Sequence, residues 1–258
     1  MTSGVPQGSI LGPVLFAILV NDYKPLHLSS YHICYADNLT ILHYVPPGAI
    51  DMCQDELDNI ASWTDNNRLT INTSKTKSIV FSLSKLIDAP KLQLFNSFIE
   101  TVKSVKLLGV TFTDGLTWTR HIDNAVAKAR RALCIVSGMK RHGAPPEALR
   151  IAYQGYVFCH MVYAWPAICD CSAADMKRLV SVDSCAWRLI GTKPASTLKS
   201  RLDDACGRLM SSIEKHADHP LRQFFDERQS TQTRNKKKLM PPRCSTQRFK
   251  NSFIRFSV

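Results

Sequence analysis

The chain has no apolar run long enough to cross a bilayer. Its longest apolar stretches, residues 10–20 and 157–169, fall short of the ~20 residues a helical span requires, and Pro13, His160 and Pro166 interrupt them. No membrane partner is expected, and both stretches read as buried helices. Metal-ligand spacing is missing as well. Cys169-Asp170-Cys171, His216-Ala217-Asp218-His219 and Cys159-His160 lack the paired doublets of a zinc finger or knuckle, so buried thiols are expected there instead. Nine cysteines at irregular spacing, with no secretory segment ahead of them, argue against a disulfide framework and for a reduced, intracellular setting. Acid is scarce: 21 Asp and Glu face 33 Lys and Arg, leaving a formal charge of +12. That imbalance points to a polyanionic partner, with nucleic acid ahead of an acidic membrane surface. Hydrophobic residues make up 45% of the 258 positions, enough for an ordinary core.

Local signals organise the chain. Ser9 can cap a helix from about residue 10 to 22, with Pro13 near its first turn, where a missing N–H costs little. Tyr31, Ile33 and Tyr35 alternate with His32 and Cys34 as in a strand. Residues 39–45 suit a second strand, making Ala36-Asp37-Asn38 the hairpin turn. Residues 51–67 follow a helical period through Met52, Leu57, Ile60 and Ala61, and lead into a strand over 77–83. Residues 105–112 predict a hairpin kinked at Gly109. Beyond it Ile122, Val126, Ala129, Leu133 and Val136 form one apolar stripe, and Pro145-Pro146 opens the next helix. Ser172 and Asp175 form a capping box for a helix through Met176, Leu179, Val180, Ala186 and Leu189 that stops at Gly191. A last helix is expected over 198–215. Tyr153, Tyr156, Tyr163 and Trp165 lie in an apolar helical setting that favours core packing over base stacking. Residues 226–258 hold nine Lys and Arg against two acids, a local charge of +7, and predict a flexible basic tail. Within it Lys236-Lys237-Lys238 reads as a nuclear address, a phosphate anchor or a solubilising run.

Two strings carry more. Residues 4–16 read Gly-Val-Pro-Gln-Gly-Ser-Ile-Leu-Gly-Pro-Val-Leu-Phe, and Tyr35-Ala36-Asp37-Asn38 places Asp37 thirty positions after Gln7. Alone, the first is helix-entry punctuation and the second is good turn chemistry. In this order and at this spacing they resemble two consecutive palm motifs of reverse transcriptases, most closely the LINE-type (non-LTR) retrotransposon family. The resemblance is closest over residues 3–81, continues over 104–140 and thins through 141–220. It implies an α/β fold, the C-terminal part of a right-hand polymerase palm (1–112), followed by an all-α thumb-like helix (113–142), a helical extension (143–225) and the basic tail (226–258).

The resemblance also implies roles. Two-metal nucleotidyl transfer needs carboxylates that hold a pair of divalent ions at the attacking and leaving oxygens. Asp37 matches the Mg²⁺-binding aspartate of the family's turn. Asn38 stands where the family usually has a second aspartate, and a neutral amide brings no negative charge to a hard cation. Pro6, Gln7 and Gly8 match a loop beside the template base and incoming dNTP. Lys75, within Leu69-Thr70-Ile71-Asn72-Thr73-Ser74-Lys75, matches a lysine that can protonate departing pyrophosphate. Leu108 and Gly109 match a hairpin that grips the DNA primer. Lys128, Arg130 and Arg131, with Lys140 and Arg141, lie where a thumb tracks phosphates. A solvated charged face explains those cations nearly as well. The family's first catalytic aspartate precedes the Pro-Gln-Gly loop, so the resemblance implies a chain lacking its front, with open strand edges and uncovered apolar surface through which copies self-associate. The ending Arg248-Phe249-Lys250-Asn251-Ser252-Phe253 resembles the end of such a reading frame. Three readings follow: a polymerase of which this is part, a noncatalytic nucleic-acid-binding remnant, and a degenerate product.

Overall fold

The structure, a computed structural model, describes residues 8–82, 90–227, 239–240 and 252. The chain divides into two units, Met1–Lys103 and Ser104–Val258, each with its own hydrophobic core. Helices predominate, and every sheet among the described residues is two-stranded. No helix among them is long and apolar enough to cross a membrane.

In the first unit, helix α1 spans Leu11–Asn21, and Ser9 Oγ accepts the Leu11 N–H at 3.3 Å. The helix is apolar on nearly every side, yet none of its residues is buried; Leu11, Val14, Leu15 and Ile18 all face solvent. This corrects the expectation of a buried helix. Apolarity all round asks for cover on all sides, and the described residues of this unit do not supply it.

Strands β1 (Ser30–Tyr35) and β2 (Asn38–His43) pair antiparallel with Tyr35 opposite Asn38, so Ala36 and Asp37 form the turn. Ala36 takes the left-handed conformation there, with φ +50. Strand alternation divides the hairpin by face. Leu39 and Ile41 join the core and His32 sits edge-on to Tyr23 at 5.3 Å, while Tyr31, Ile33, Tyr35 and Leu42 are exposed. Helix α2 (Cys53–Asn66) lies over the inner face, its first turn held by Asp51 Oδ1 accepting the Cys53 N–H at 2.9 Å. Ile60 of α2 packs with Tyr23, Leu92, Leu94 and Ile99 to make the core. The expected strand over 77–83 shrinks to β3 (Lys77–Ser78), and residue 83 lies outside the described residues. Strands β4 (Gln93–Leu94) and β5 (Ser97–Phe98) form a tight hairpin through Phe95 and Asn96. β3 pairs parallel with β6 (Glu100–Thr101), where Lys77 and Glu100 form an ion pair.

The second unit opens with a hairpin, β7 (Ser104–Leu107) and β8 (Val110–Thr113), turning through Leu108-Gly109. It clusters with the helices that follow, since Val110 is in their core and the Phe112 ring meets Trp118 at 5.7 Å. Helix α3 (Thr119–Arg141) buries the expected stripe, Ile122, Val126, Ala129, Leu133 and Val136. Helix α4 (Pro146–Ala152) starts on the second proline and runs on through a π-helical turn, Tyr153–Phe158, into α5 (Cys159–Val162). The chain then breaks at Tyr163 and Ala164 before α6 (Trp165–Ile168), so 157–169 is two helical pieces and not the single helix expected. Ala164 is left-handed at φ 56. Helix α7 (Ala173–Ile190) carries the predicted cap, with Ser172 Oγ accepting the Asp175 N–H at 3.1 Å and Gly191 closing the end. Of the residues expected along it, Leu179 and Ala186 are buried and Met176 and Leu189 pack partly buried against the core, while Val180 is exposed and Val182 and Asp183 are buried as well. Helix α8 (Leu198–Lys215) has the expected bounds, and Pro220–Phe224 forms a 3-10 turn after it.

Buried polar groups tie both units together internally. Asp183 takes an ion pair from Arg201 at 2.6 Å and the hydroxyl of Tyr153. In the first unit Glu56 is 0% exposed and accepts the N–H groups of His27 at 2.7 Å and Leu26 at 3.1 Å. Burial alone would raise its pKa. The His27 amide, the Ser30 hydroxyl, the Leu26 amide and the charge of His27 outweigh that and hold it below the ordinary carboxylate value. A carboxyl depressed on folding stabilises the fold above its unfolded pKa, and that contribution is lost as pH falls through the folded value. The first unit is therefore expected to lose stability as pH drops below about 4.3. Replacing Glu56 by Ala should cost roughly 2 kcal/mol by removing the acceptor of two part-buried backbone donors. Hydrogen exchange at the Leu26 and His27 amides, measured against pH and in Glu56→Ala, checks both expectations.

Candidate functional site

The two-residue turn of the β1–β2 hairpin carries the first candidate. Two strands anchor it, and Asp37 projects exposed beyond their last pair. Asn38, also exposed, donates from Nδ2 to Asp37 Oδ1 at 3.3 Å, and the Cys34 thiol donates to the Ala36 carbonyl at 3.3 Å. Gly8 has φ +88, while Pro6 and Gln7 lie outside the described residues. Lys75 is exposed in a turn over residues 73–75, where its backbone N–H meets Asn72 Oδ1 at 3.1 Å. No hydrogen bond or ion pair among the described residues joins Lys75 to Asp37.

A Mg²⁺ pair needs carboxylate oxygens from more than one direction in addition to phosphate oxygens. This turn offers one carboxylate and one neutral amide. Among the described residues no group of three or more His, Cys, Asp or Glu comes together. A two-metal pair does not fit these residues by themselves.

The second candidate lies in the helical unit. Leu108 and Gly109 both take left-handed backbone conformations, φ +47 and +84, as a two-residue hairpin turn requires. The turn is held from outside the hairpin. The Tyr163 hydroxyl donates to the Leu108 carbonyl, and a Cβ placed on Gly109 would lie 3.1 Å from Tyr163 Cε1. Lys128, Arg130 and Arg131 all stand exposed on α3, opposite its buried stripe. Lys128 and Arg131 are one turn apart. His160 of α5 shares their surroundings: burial, then the charges of Lys128 and Arg131, lower its pKa and favour the neutral ring.

The aromatic expectation needs dividing. Tyr153 and Trp165 are core residues, whereas Tyr163 and Tyr156 remain 52% and 54% exposed. The contact of Tyr163 with Gly109 was invisible in a helical reading of 157–169. Pro166 was the available signal, because a proline restrains the residue before it and marks a helix boundary.

Residues 1–112, which carry this exposed aspartate on its tight strand turn, match the reverse transcriptase (RNA-dependent DNA polymerase) family. The family generally uses divalent metal ions. More narrowly, the chain is homologous to RNA-directed DNA polymerases of Drosophila non-LTR retrotransposons. It is 30% identical over 134 residues to the RNA-directed DNA polymerase from mobile element jockey of Drosophila melanogaster, covering 48% of this chain and 14% of that protein. The jockey polymerase of Drosophila funebris is 30% identical over 129 residues, 46% of this chain and 14% of that one. Similarity to the 115 kDa protein in type-1 retrotransposable element R1DM of Drosophila melanogaster reaches further along, at 27% over 192 residues, 70% of this chain and 18% of that protein. The match thus spans only about one seventh of the jockey proteins' length. No solved structure matches the chain.

Gly109 offers a direct test of the turn geometry. Gly109→Ala places a Cβ both in a left-handed conformation and against the Tyr163 ring, so it is expected to destabilise the helical unit by about 1–2 kcal/mol. Lys106→Ala, at an exposed position of the same hairpin, should be nearly neutral by comparison. Urea unfolding of the two variants, followed by circular dichroism, measures the difference.

Proposed function

We propose that this chain contributes the turn-bearing part of the palm, together with the thumb, of a non-LTR retrotransposon reverse transcriptase, and that the 258-residue polypeptide alone binds RNA and DNA without polymerising. The observation that carries the reading is Asp37 at the exposed tip of a strand hairpin inside the stretch that matches the reverse-transcriptase family. In this reading Asp37 would be one of the ligands of a divalent ion whose other ligands come from outside these residues, and the ion would supply Lewis acidity. Asn38 flanks it. Gly8, with Pro6 and Gln7, lies beside the templating base and dNTP. Lys75 gives a proton from Nζ to the pyrophosphate oxygen that leaves. Leu108 and Gly109 meet the primer strand, and Lys128, Arg130 and Arg131 neutralise phosphates of the bound nucleic acid.

Charge decides against autonomous catalysis. With a single carboxylate on the turn, the site lacks the second anionic arm that organises a metal pair, and each ~1.4 kcal/mol of lost transition-state stabilisation is tenfold in rate. The same substitution, Asn38 in place of an acid, favours a second reading, a noncatalytic nucleic-acid-binding remnant of such an element. The exposed apolar residues of α1 and the outer hairpin face, Tyr31, Ile33 and Tyr35, support self-association of copies.

Purified residues 1–258 are expected to incorporate no dNTP on a primed RNA template with Mg²⁺ or Mn²⁺, and Asn38→Asp alone is expected to leave that unchanged. A second carboxylate on one turn cannot replace one opposing it from elsewhere. Primer-extension assays of both proteins decide the matter; template-dependent synthesis that Asp37→Ala abolishes would sink the claim.

Binding should be salt-sensitive and sequence-blind. With Z phosphates neutralised, log K falls against log salt with a slope of about −0.7Z to −0.9Z. Removing residues 226–258, which carry a charge of +7, should flatten that slope, and Arg130→Ala with Arg131→Ala should flatten it further. Fluorescence-anisotropy titrations of labelled RNA and DNA at several salt concentrations measure it. A flat dependence in the unsubstituted chain would leave the cations as a solvated face.

A further inference from the structure

Tyr163 sits where the helical run breaks, between the last residue of α5 and the left-handed Ala164, and the break throws its side chain outward. One part of the phenol is committed to the hairpin. Its hydroxyl holds the Leu108 carbonyl, and the ring edge covers Gly109 so closely that a methyl group there would press on it. The rest of the side chain is free, at 52% exposed. The hydrogen bond at one end fixes the orientation of the ring and leaves its remaining surface to solvent. Packing does not require the ring, because the core of this unit is filled by other rings, Tyr153, Trp165 and Trp118.

Its neighbours have the chemistry of a strand-binding site. His160 lies one turn before Tyr163 and shares its surroundings with Lys128 and Arg131 of α3, both exposed. The Leu108-Gly109 turn fixes the ring from one side, because Tyr163 itself fills the space a side chain at Gly109 would need. Cations for phosphates beside an exposed ring for a base are the elements of a site for single-stranded nucleic acid, in which stacking tolerates any sequence because every base has a π-face.

We propose that Tyr163 is a base-stacking residue, holding an unpaired nucleotide of a bound nucleic-acid strand against the Leu108-Gly109 turn while Lys128 and Arg131 hold its phosphates. The assignment rests on the nucleic-acid-binding reading above and adds to it a contact that carries no charge. That difference separates the two in one experiment. Stacking releases no counterions, so loss of the ring lowers affinity without altering the salt slope, whereas loss of a cation alters the slope.

The test uses the full chain and a single strand carrying 2-aminopurine, whose fluorescence is quenched on stacking, in anisotropy and emission titrations at several salt concentrations. Tyr163→Leu is expected to weaken binding about five- to a hundredfold, to keep the wild-type salt slope and to lose the bound-state quench. Tyr163→Phe lacks only the hydroxyl and is expected to keep most of the quench, which a purely structural role through the Leu108 carbonyl would not predict. Lys128→Ala with Arg131→Ala should do the reverse of Tyr163→Leu, flattening the slope while retaining the quench at saturation. Wild-type affinity and quench in Tyr163→Leu would overturn this inference alone, as would equal losses in Tyr163→Phe and Tyr163→Leu. Absence of salt-dependent binding by the unsubstituted chain would overturn both this inference and the reading beneath it.

Discussion

Burial of a single stripe on α3 is the constraint from which the helical unit follows. Ile122, Val126, Ala129, Leu133 and Val136 recur at helical spacing and are all withdrawn from water, against α7 on one side and the π-helical turn and α5 on another. Each large side chain so buried contributes on the order of 1.5–3 kcal/mol. The half-exposed ion pair between Arg178 and Asp123, which also links α3 to α7, belongs to a class worth about 0–1 kcal/mol. Apolar burial therefore sets the orientation of α3, and the ion pair trims it. With one face committed inward, Lys128 and Arg131 have no place except the opposite one. The positive surface is a by-product of the core.

The first unit obeys a different rule. Its hairpin is amphipathic only in part, because β1 offers tyrosine and isoleucine to solvent on the face turned away from α2. Among the described residues the core beneath is small, five buried hydrophobic residues. Polar bonds therefore matter more here. Glu56 fastens the segment around His27 to α2, and Ser30 Oγ meets His43 Nδ1 at 2.7 Å at the open end of the hairpin. The tip that carries Asp37 is thus fixed at its base by buried polar contacts and left bare at its end.

What could be read in advance was whatever depends on neighbours in sequence. Ser172 with Asp175, Gly191, Pro146 and the 198–215 helix are signals spent within one or two turns, and each appears where expected. The Asp37 turn was legible for the same reason, although Asn38, expected in the turn, opens β2 and pairs with Tyr35. Failures cluster where the deciding partner is distant. α1 looked like a core helix because apolarity does not say whether a cover exists. The burial of Asp183 on α7 went unread because its partners Arg201 and Tyr153 lie eighteen and thirty positions away. Tyr163 read as core because its partner, Leu108, is fifty-five residues earlier.

Arg201 deserves a last consequence. Its guanidinium lies 5.5–5.9 Å from the ring centres of Tyr153, Phe158 and Trp187, and its charge is met by Asp183 of α7. A guanidinium does not shed its proton under any condition in which a protein stays folded, so this internal positive charge is permanent. Helix α8 cannot lift away from α7 without exposing an unpaired carboxylate in a ring-lined pocket and abandoning its own cation to solvent. The ion pair is thus a tie between the two helices whose breaking strands a buried charge. The Trp187 indole, bonded to the same carboxylate at 3.2 Å, stands as an intrinsic optical reporter of whether that latch is closed.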